Sequence, residues 1–94
     1  MTTLTVDNPF TGDVACTVPV ADDSTISSML DRAQRAAKEW KRSTVAERIA
    51  LCERVVLSME EDIESIASDI SRMMGKPLSQ ARGEVKGMAG RALG

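Results

Sequence analysis

Residues 45–73 read VAERIALCERVVLSMEEDIESIASDISRM, and their apolar side chains recur at alternating steps of four and three residues. This spacing places the apolar side chains on one face of an α-helix. The face, called here the 45–73 stripe, comprises Val45, Ile49, Cys52, Val56, Met59, Ile63, Ile66, Ile70 and Met73. The unbroken pattern predicts a single helix over residues 44–74, about 45 Å long.

Both ends of this predicted helix carry recognisable signals. Thr44 and Glu47 have the T-x-x-E spacing of a capping box, in which each side chain binds the other residue's amide. Gly75 suits the left-handed position that ends a helix. Pro77 fits the first turn of the next predicted helix, residues 77–93.

The helix predicted at 77–93 contains three glycines, Gly83, Gly87 and Gly90. Each costs about 1 kcal/mol relative to alanine in a helix interior. No G-x-G-x-x-G follows a strand and no G-K-[ST] occurs, so a phosphate cradle is disfavoured. The glycines instead predict close packing of another helix.

Upstream, residues 23–41 are predicted to form an amphipathic helix that begins at Asp22 or Asp23. Its apolar face comprises Ile26, Met29, Leu30, Ala33, Ala37 and Trp40. Residues 4–20 before it are rich in β-branched side chains and are interrupted by Asn8 to Asp13, a proline- and glycine-containing stretch that predicts a chain reversal.

These patterns predict a mainly α fold with an N-terminal β-hairpin, an α+β fragment in which a short two-stranded hairpin is followed by three helices. The chain of 94 residues is expected to form a single partial domain, 1–94, with no complete nucleotide-binding or catalytic domain. The first and last helices are expected to cover part of the 45–73 stripe. A thin core is expected to leave an apolar patch exposed.

Composition narrows the function classes. Twelve basic and 14 acidic residues leave a net charge of -2, which argues against nucleic-acid and membrane partners. The start has no signal-peptide pattern and no apolar run is long enough for a membrane span, so a cytoplasmic protein is expected. Histidine is absent, and Cys16 and Cys52, which lack metal-ligand spacing, are predicted to be small buried thiols.

Three stretches in order resemble the aldehyde dehydrogenase family. Residues 6–13 followed by 18–21 are similar to its opening N-P-x-T-G…V-P-x-A hairpin, and Trp40 followed by residues 46–48 resembles the entry to its long second helix. Met74-Gly75-Lys76-Pro77-Leu78, continuing to Val85, resembles the M-G-K-P-L stretch of the succinate-semialdehyde branch. The resemblance covers essentially the whole chain and implies the N-terminal part of the α/β aldehyde dehydrogenase fold.

The resemblance implies an oxidoreductase in which a cysteine thiolate attacks an aldehyde and hydride passes to NAD or NADP. The family's nucleophile, general base, oxyanion-hole asparagine and nucleotide-binding sheet lie beyond residue 94. Cys16 falls in the hairpin and Cys52 on the 45–73 stripe, so neither is predicted to be the nucleophile. No catalytic, cofactor-binding or metal residue is therefore assigned, and the chain is expected to bind no cofactor and to be inactive by itself. In some family members a monovalent cation is held near positions that match Val6, Asp7 and Glu84, which are not assigned as a metal site.

Two functions remain open. The first is an N-terminal fragment of an NAD(P)-dependent aldehyde dehydrogenase, acting on succinate semialdehyde or a similar semialdehyde, whose partner is the remainder of the fold. The second is a stand-alone helical module that binds a partner helix or a second copy of itself through the 45–73 stripe. The apolar pattern of the last helix continues to Gly94, which favours the fragment.

Overall fold

The computed structural model describes residues 2–94. Strands β1 (Thr3–Asp7) and β2 (Val14–Pro19) precede four helices, α1 (Asp23–Arg42), α2 (Val45–Glu61), α3 (Ile63–Met74) and α4 (Leu78–Leu93). The predicted class, mainly α with an N-terminal β-hairpin, is confirmed.

The hairpin is antiparallel, with Thr3 opposite Pro19 and Val6 opposite Cys16. Asp7 pairs with Val14, so the register shifts at this end of the strands and leaves Ala15 as a bulge. The predicted chain reversal lies between the strands. An isolated two-stranded hairpin is marginally stable in water, and here it rests against α3.

Helix α1 begins as predicted, because the Asp22 carboxylate accepts a hydrogen bond from the Thr25 amide at 2.8 Å. Within the described residues, α1 packs against no other helix or strand, and none of its residues is buried. The expectation that the first helix covers part of the 45–73 stripe is therefore wrong. Its apolar face is exposed, apart from contact between the Trp40 ring and the Arg48 guanidinium.

The single helix predicted over residues 44–74 is divided at Asp62, so the prediction of three helices is wrong. Asp62 has φ -97° and ψ 15°, outside the helical region, although its amide still donates to the Ser58 carbonyl at 3.1 Å. Three consecutive acidic residues, 60–62, lie at the C-terminal end of α2, where negative charge opposes the helix dipole, whereas Glu64 suits the first turn of α3. The apolar spacing runs through the break because α2 and α3 both pack against α4.

The core lies where α4 crosses α2 and α3. Its buried side chains are few and small: Val56, Ala67, Ala81, Val85 and Ala89. The central part of the 45–73 stripe, 56–70, is buried or half-buried there, while Val45 and Ile49 at its N-terminal end are exposed. The expectation of a thin core with exposed apolar surface is confirmed.

Two further predictions about side-chain environment are wrong. Cys52 is exposed because, among the described residues, α4 leaves the N-terminal part of the stripe largely uncovered. Cys16, on β2, is only half-buried. A Cβ atom built on Gly83, Gly87 or Gly90 would find no atom within 4 Å among the described residues. Within the described residues, therefore, no close helix packing explains these glycines.

Candidate functional site

The hairpin turn lies against the corner between α3 and α4. In the turn, the Asn8 side-chain oxygen accepts a hydrogen bond from the Phe10 amide at 2.9 Å, and the Gly12 amide donates to the Asn8 carbonyl at 2.8 Å. The corner is closed by Gly75, which has φ 70° and donates its amide hydrogen to the Ser71 carbonyl at 2.9 Å. The predicted left-handed end of the helix at Gly75 is confirmed.

Contact between the two turns is close. A Cβ atom on Gly75 would lie 2.9 Å from the Phe10 backbone nitrogen and 3.1 Å from Pro9 Cδ. Only a residue without a side chain fits this approach. Two of the three stretches that carry the family resemblance, the hairpin turn and the M-G-K-P-L stretch, therefore pack directly on each other.

A concavity of about 410 Å³ opens beside this contact. Its walls come from both turns: Asn8, Phe10, Ser71, Gly75, Lys76 and Pro77. The Ser71 hydroxyl is used internally, since it donates to the Lys76 carbonyl at 2.7 Å. The Lys76 ammonium is paired with the Glu84 carboxylate. The polar side chains of Ser71 and Lys76 are thus already bonded within the protein, and the concavity is a structural junction between the two turns. The residues that line it include no thiol or carboxylate.

A second junction joins α1 to α2 through Arg48. Its guanidinium donates to the Trp40 and Ser43 carbonyls at 3.2 and 3.1 Å and to the Ser43 hydroxyl at 2.9 Å. The same guanidinium lies over the Trp40 ring, 5.7 Å from its centre. Arg48 therefore adds donors at the C-terminal end of α1, where the Trp40 carbonyl also accepts a hydrogen bond from the Ser43 amide at 3.1 Å. The capping box of Thr44 and Glu47 is also confirmed at this corner, with both hydrogen bonds at 3.1 Å.

An exposed ion pair connects α3 to α4. The Arg82 guanidinium donates to both carboxylate oxygens of Glu64, at 2.7 and 3.0 Å. This side-chain hydrogen bonding lowers the pKa of the Glu64 carboxyl and raises the pKa of Arg82. The two residues are 18 positions apart, so no local spacing in the sequence indicates the pair.

The positions matching the family's cation site are not brought together. Within residues 2–94, α4 contacts neither strand, and Glu84 on α4 binds Lys76 instead of approaching Val6 and Asp7. The described residues also contain no cluster of three Cys, Asp or Glu side chains able to hold a metal ion. Sequence reasoning missed the role of Arg48, although the Glu47-Arg48 pair was recognised as part of the family pattern.

Comparison with known proteins identifies the class. The sequence profile of the aldehyde dehydrogenase family matches residues 1–92, and the chain belongs to that family. Among individual proteins, it is 38% identical over 78 residues to a succinate-semialdehyde dehydrogenase [NADP(+)] of Deinococcus radiodurans. It is also 37% identical over 83 residues to a 3-sulfolactaldehyde dehydrogenase of Pseudomonas putida and 34% identical over 83 residues to a glutarate-semialdehyde dehydrogenase of the same species.

These matches cover different shares of the two chains. They include 83 to 88% of this chain but only 16 to 17% of each relative. The chain thus spans about one sixth of the length of the curated relatives it matches. No helix in the described part of the chain combines the length and apolar character needed to cross a membrane.

Proposed function

We propose that this chain is the N-terminal segment of an NAD(P)-dependent aldehyde dehydrogenase that oxidises a semialdehyde, with succinate semialdehyde as the first substrate to test. Family membership over residues 1–92 carries the proposal. Two of the similar proteins above are named as semialdehyde dehydrogenases, and the one from Deinococcus radiodurans is named with NADP(+). The M-G-K-P-L stretch, 74–78, supports the same branch.

By itself the chain is proposed to be inactive. Its two thiols lie on separate elements, Cys16 on β2 and Cys52 on α2, and neither lines the concavity between the turns. Aldehyde oxidation through a thioester needs an activated thiolate beside a bound nicotinamide. The role of residues 1–94 is then structural: the hairpin and helices form a unit that packs against the remainder of the fold.

A chimaera tests this role directly. Residues 1–94 replace the matching N-terminal segment of the Deinococcus radiodurans enzyme, and NADPH formation from succinate semialdehyde is measured. The chimaera is expected to retain activity, whereas the same enzyme lacking the segment and the isolated 94-residue chain are both expected to have none. An inactive chimaera that remains folded would contradict the proposed role.

Activity of the isolated chain would contradict the proposal in a different way. Turnover that persists in a Cys16→Ser, Cys52→Ser double variant would mean that residues 1–94 contain a catalytic site of another kind. Calorimetric titration of the isolated chain with NAD and NADP provides a parallel test, in which no specific binding is expected.

A further inference from the structure

The connection between α1 and α2 consists of two residues, Ser43 and Thr44. Both are extended, with ψ 153° at Ser43 and φ -80° at Thr44, so neither continues a helix. Rotation about their backbone bonds would swing one helix relative to the other. Among residues 2–94, α1 packs against no other helix or strand that could fix its direction. The direction of α1 therefore depends on the contacts made at this corner.

Most hydrogen bonds at the corner stay on one side of the peptide bond between Ser43 and Thr44. On the α1 side, the Ser43 amide and hydroxyl both donate to the Trp40 carbonyl. On the α2 side, the capping box joins Thr44 to Glu47, and the Arg48 amide donates to the Thr44 carbonyl at 3.1 Å. These bonds tie each connecting residue to its own helix and leave the angle between the helices free.

The side chain of Arg48 crosses the connection. Its Nε donates to the Ser43 hydroxyl at 2.9 Å. Its Nη2 group is shared among three backbone carbonyls, those of Trp40, Lys41 and Ser43, at 3.2, 3.3 and 3.1 Å. Within residues 2–94, no other hydrogen bond joins α2 to α1 or to Ser43. Because the guanidinium is planar and its donors are fixed relative to one another, bonds to several acceptors define an orientation as well as a distance.

We propose that Arg48 is a positioning residue that fixes the direction of α1 relative to α2 across a hinge between Ser43 and Thr44. Arg48 and Ser43 are both half-buried, which limits competition from water for their hydrogen bonds. The acceptors are carbonyls and a hydroxyl, none of them a carboxylate, so the arrangement of the donors holds the corner and an ion pair does not. The proposal concerns the two helices of this chain and does not depend on its proposed part in aldehyde oxidation.

A distance measured between two spin labels tests the proposal. Ser28→Cys on α1 and Ser58→Cys on α2 provide exposed labelling sites, in the full 94-residue chain with Cys16 and Cys52 replaced by serine. Each label lies about 20 Å along its helix from the connection, so the two are within the range of pulsed electron paramagnetic resonance. The labelled chain that retains Arg48 should give one narrow distribution of distances.

Two substitutions of Arg48 should abolish the narrow distribution. Arg48→Ala removes every bond across the hinge, yet alanine is the best helix former, so the helix content measured by circular dichroism should not fall. Arg48→Lys keeps the positive charge but lacks the planar fork of donors, and the same loss is expected. Arg54→Ala is the matched control, because Arg54 is an exposed arginine of the same helix that makes none of these bonds, and the distribution should stay narrow. Acrylamide quenching of Trp40, the single tryptophan, should increase only in the Arg48 variants.

Three results would overturn the proposal. The first is a broad distribution in the chain that retains Arg48, and the second is a distribution that stays narrow in Arg48→Ala. The third is a distribution that stays narrow in Arg48→Lys, since a positive charge at the negative end of the α1 dipole would then be sufficient. Arg48→Lys also decides the outcome if the alanine variant loses helix content.

Discussion

Replacing Gly75 by alanine should detach the hairpin turn from the α3–α4 corner. Alanine at φ 70° costs about 1 to 2 kcal/mol because its Cβ approaches the following carbonyl. The same Cβ would also lie 2.9 Å from the Phe10 backbone nitrogen, which cannot move away without moving the turn. Overpacking of this kind costs about 1 to 3 kcal/mol. The sum, about 2 to 5 kcal/mol, is a large part of the stability of a domain this size.

Gly12 provides a matched control. It also has a positive φ, 81°, but a Cβ there would meet no atom within 4 Å. Gly12→Ala should therefore cost only the conformational part, about 1 to 2 kcal/mol. Asparagine tolerates the left-handed region, so Gly12→Asn should be nearly neutral while Gly75→Asn keeps the steric cost.

Urea unfolding followed by circular dichroism measures these differences, and amide hydrogen exchange shows where the structure loosens. Exchange in β1 and β2 should accelerate in Gly75→Ala more than in Gly12→Ala. A Gly75→Ala variant that is no more destabilised than Gly12→Ala would show that the close contact between the two turns does not contribute to the stability of the fold.

Two other predictions concern the core and the ion pair. Among residues 2–94, Val85 is the largest fully buried side chain, with 1% exposure. Val85→Ala removes two methyl groups and leaves a cavity, so it should lower the free energy of unfolding by about 2 to 3 kcal/mol in urea titrations. Val55→Ala, at a 52% exposed position, should cost well under half as much; equal costs would place the core elsewhere. Arg82 lowers the pKa of the Glu64 carboxyl in the folded chain. The ion pair therefore stabilises the fold fully at pH values above 4.5, the ordinary glutamate pKa, and this stabilisation is lost as pH falls through the lowered pKa. Glu64→Gln should therefore flatten the acid side of the stability profile measured by thermal unfolding, and an unchanged slope would show that the pair does not form in solution.

Local signals predicted the ends of several elements well. The Asp22 cap, the Thr44 and Glu47 capping box and the left-handed Gly75 are each set by residues within four positions of one another. Such interactions form between near neighbours in sequence, so their residue types identify them without knowledge of the tertiary fold. The hairpin turn was predicted for the same reason.

Longer-range features were predicted less well. The helical period continues across Asp62 because periodicity records which face is apolar, and the helices on either side of the break use the same face. The exposure of Cys52 was missed because a stripe shows only that a face can be buried. Whether it is buried depends on how far α4 extends along it.

The sequence by itself determined the family, the mainly helical class with its hairpin, and the positions of the turns and caps, because each follows from residue types at short, regular spacings. Only the tertiary structure decided that α4 covers the middle of the 45–73 stripe, that no other helix or strand among residues 2–94 packs on α1, and that the hairpin turn meets Gly75. These outcomes depend on the directions in which separate elements leave their turns and on distances between residues far apart in the chain. Burial is therefore a property of the assembled elements, and an apolar pattern alone does not specify which neighbour supplies it.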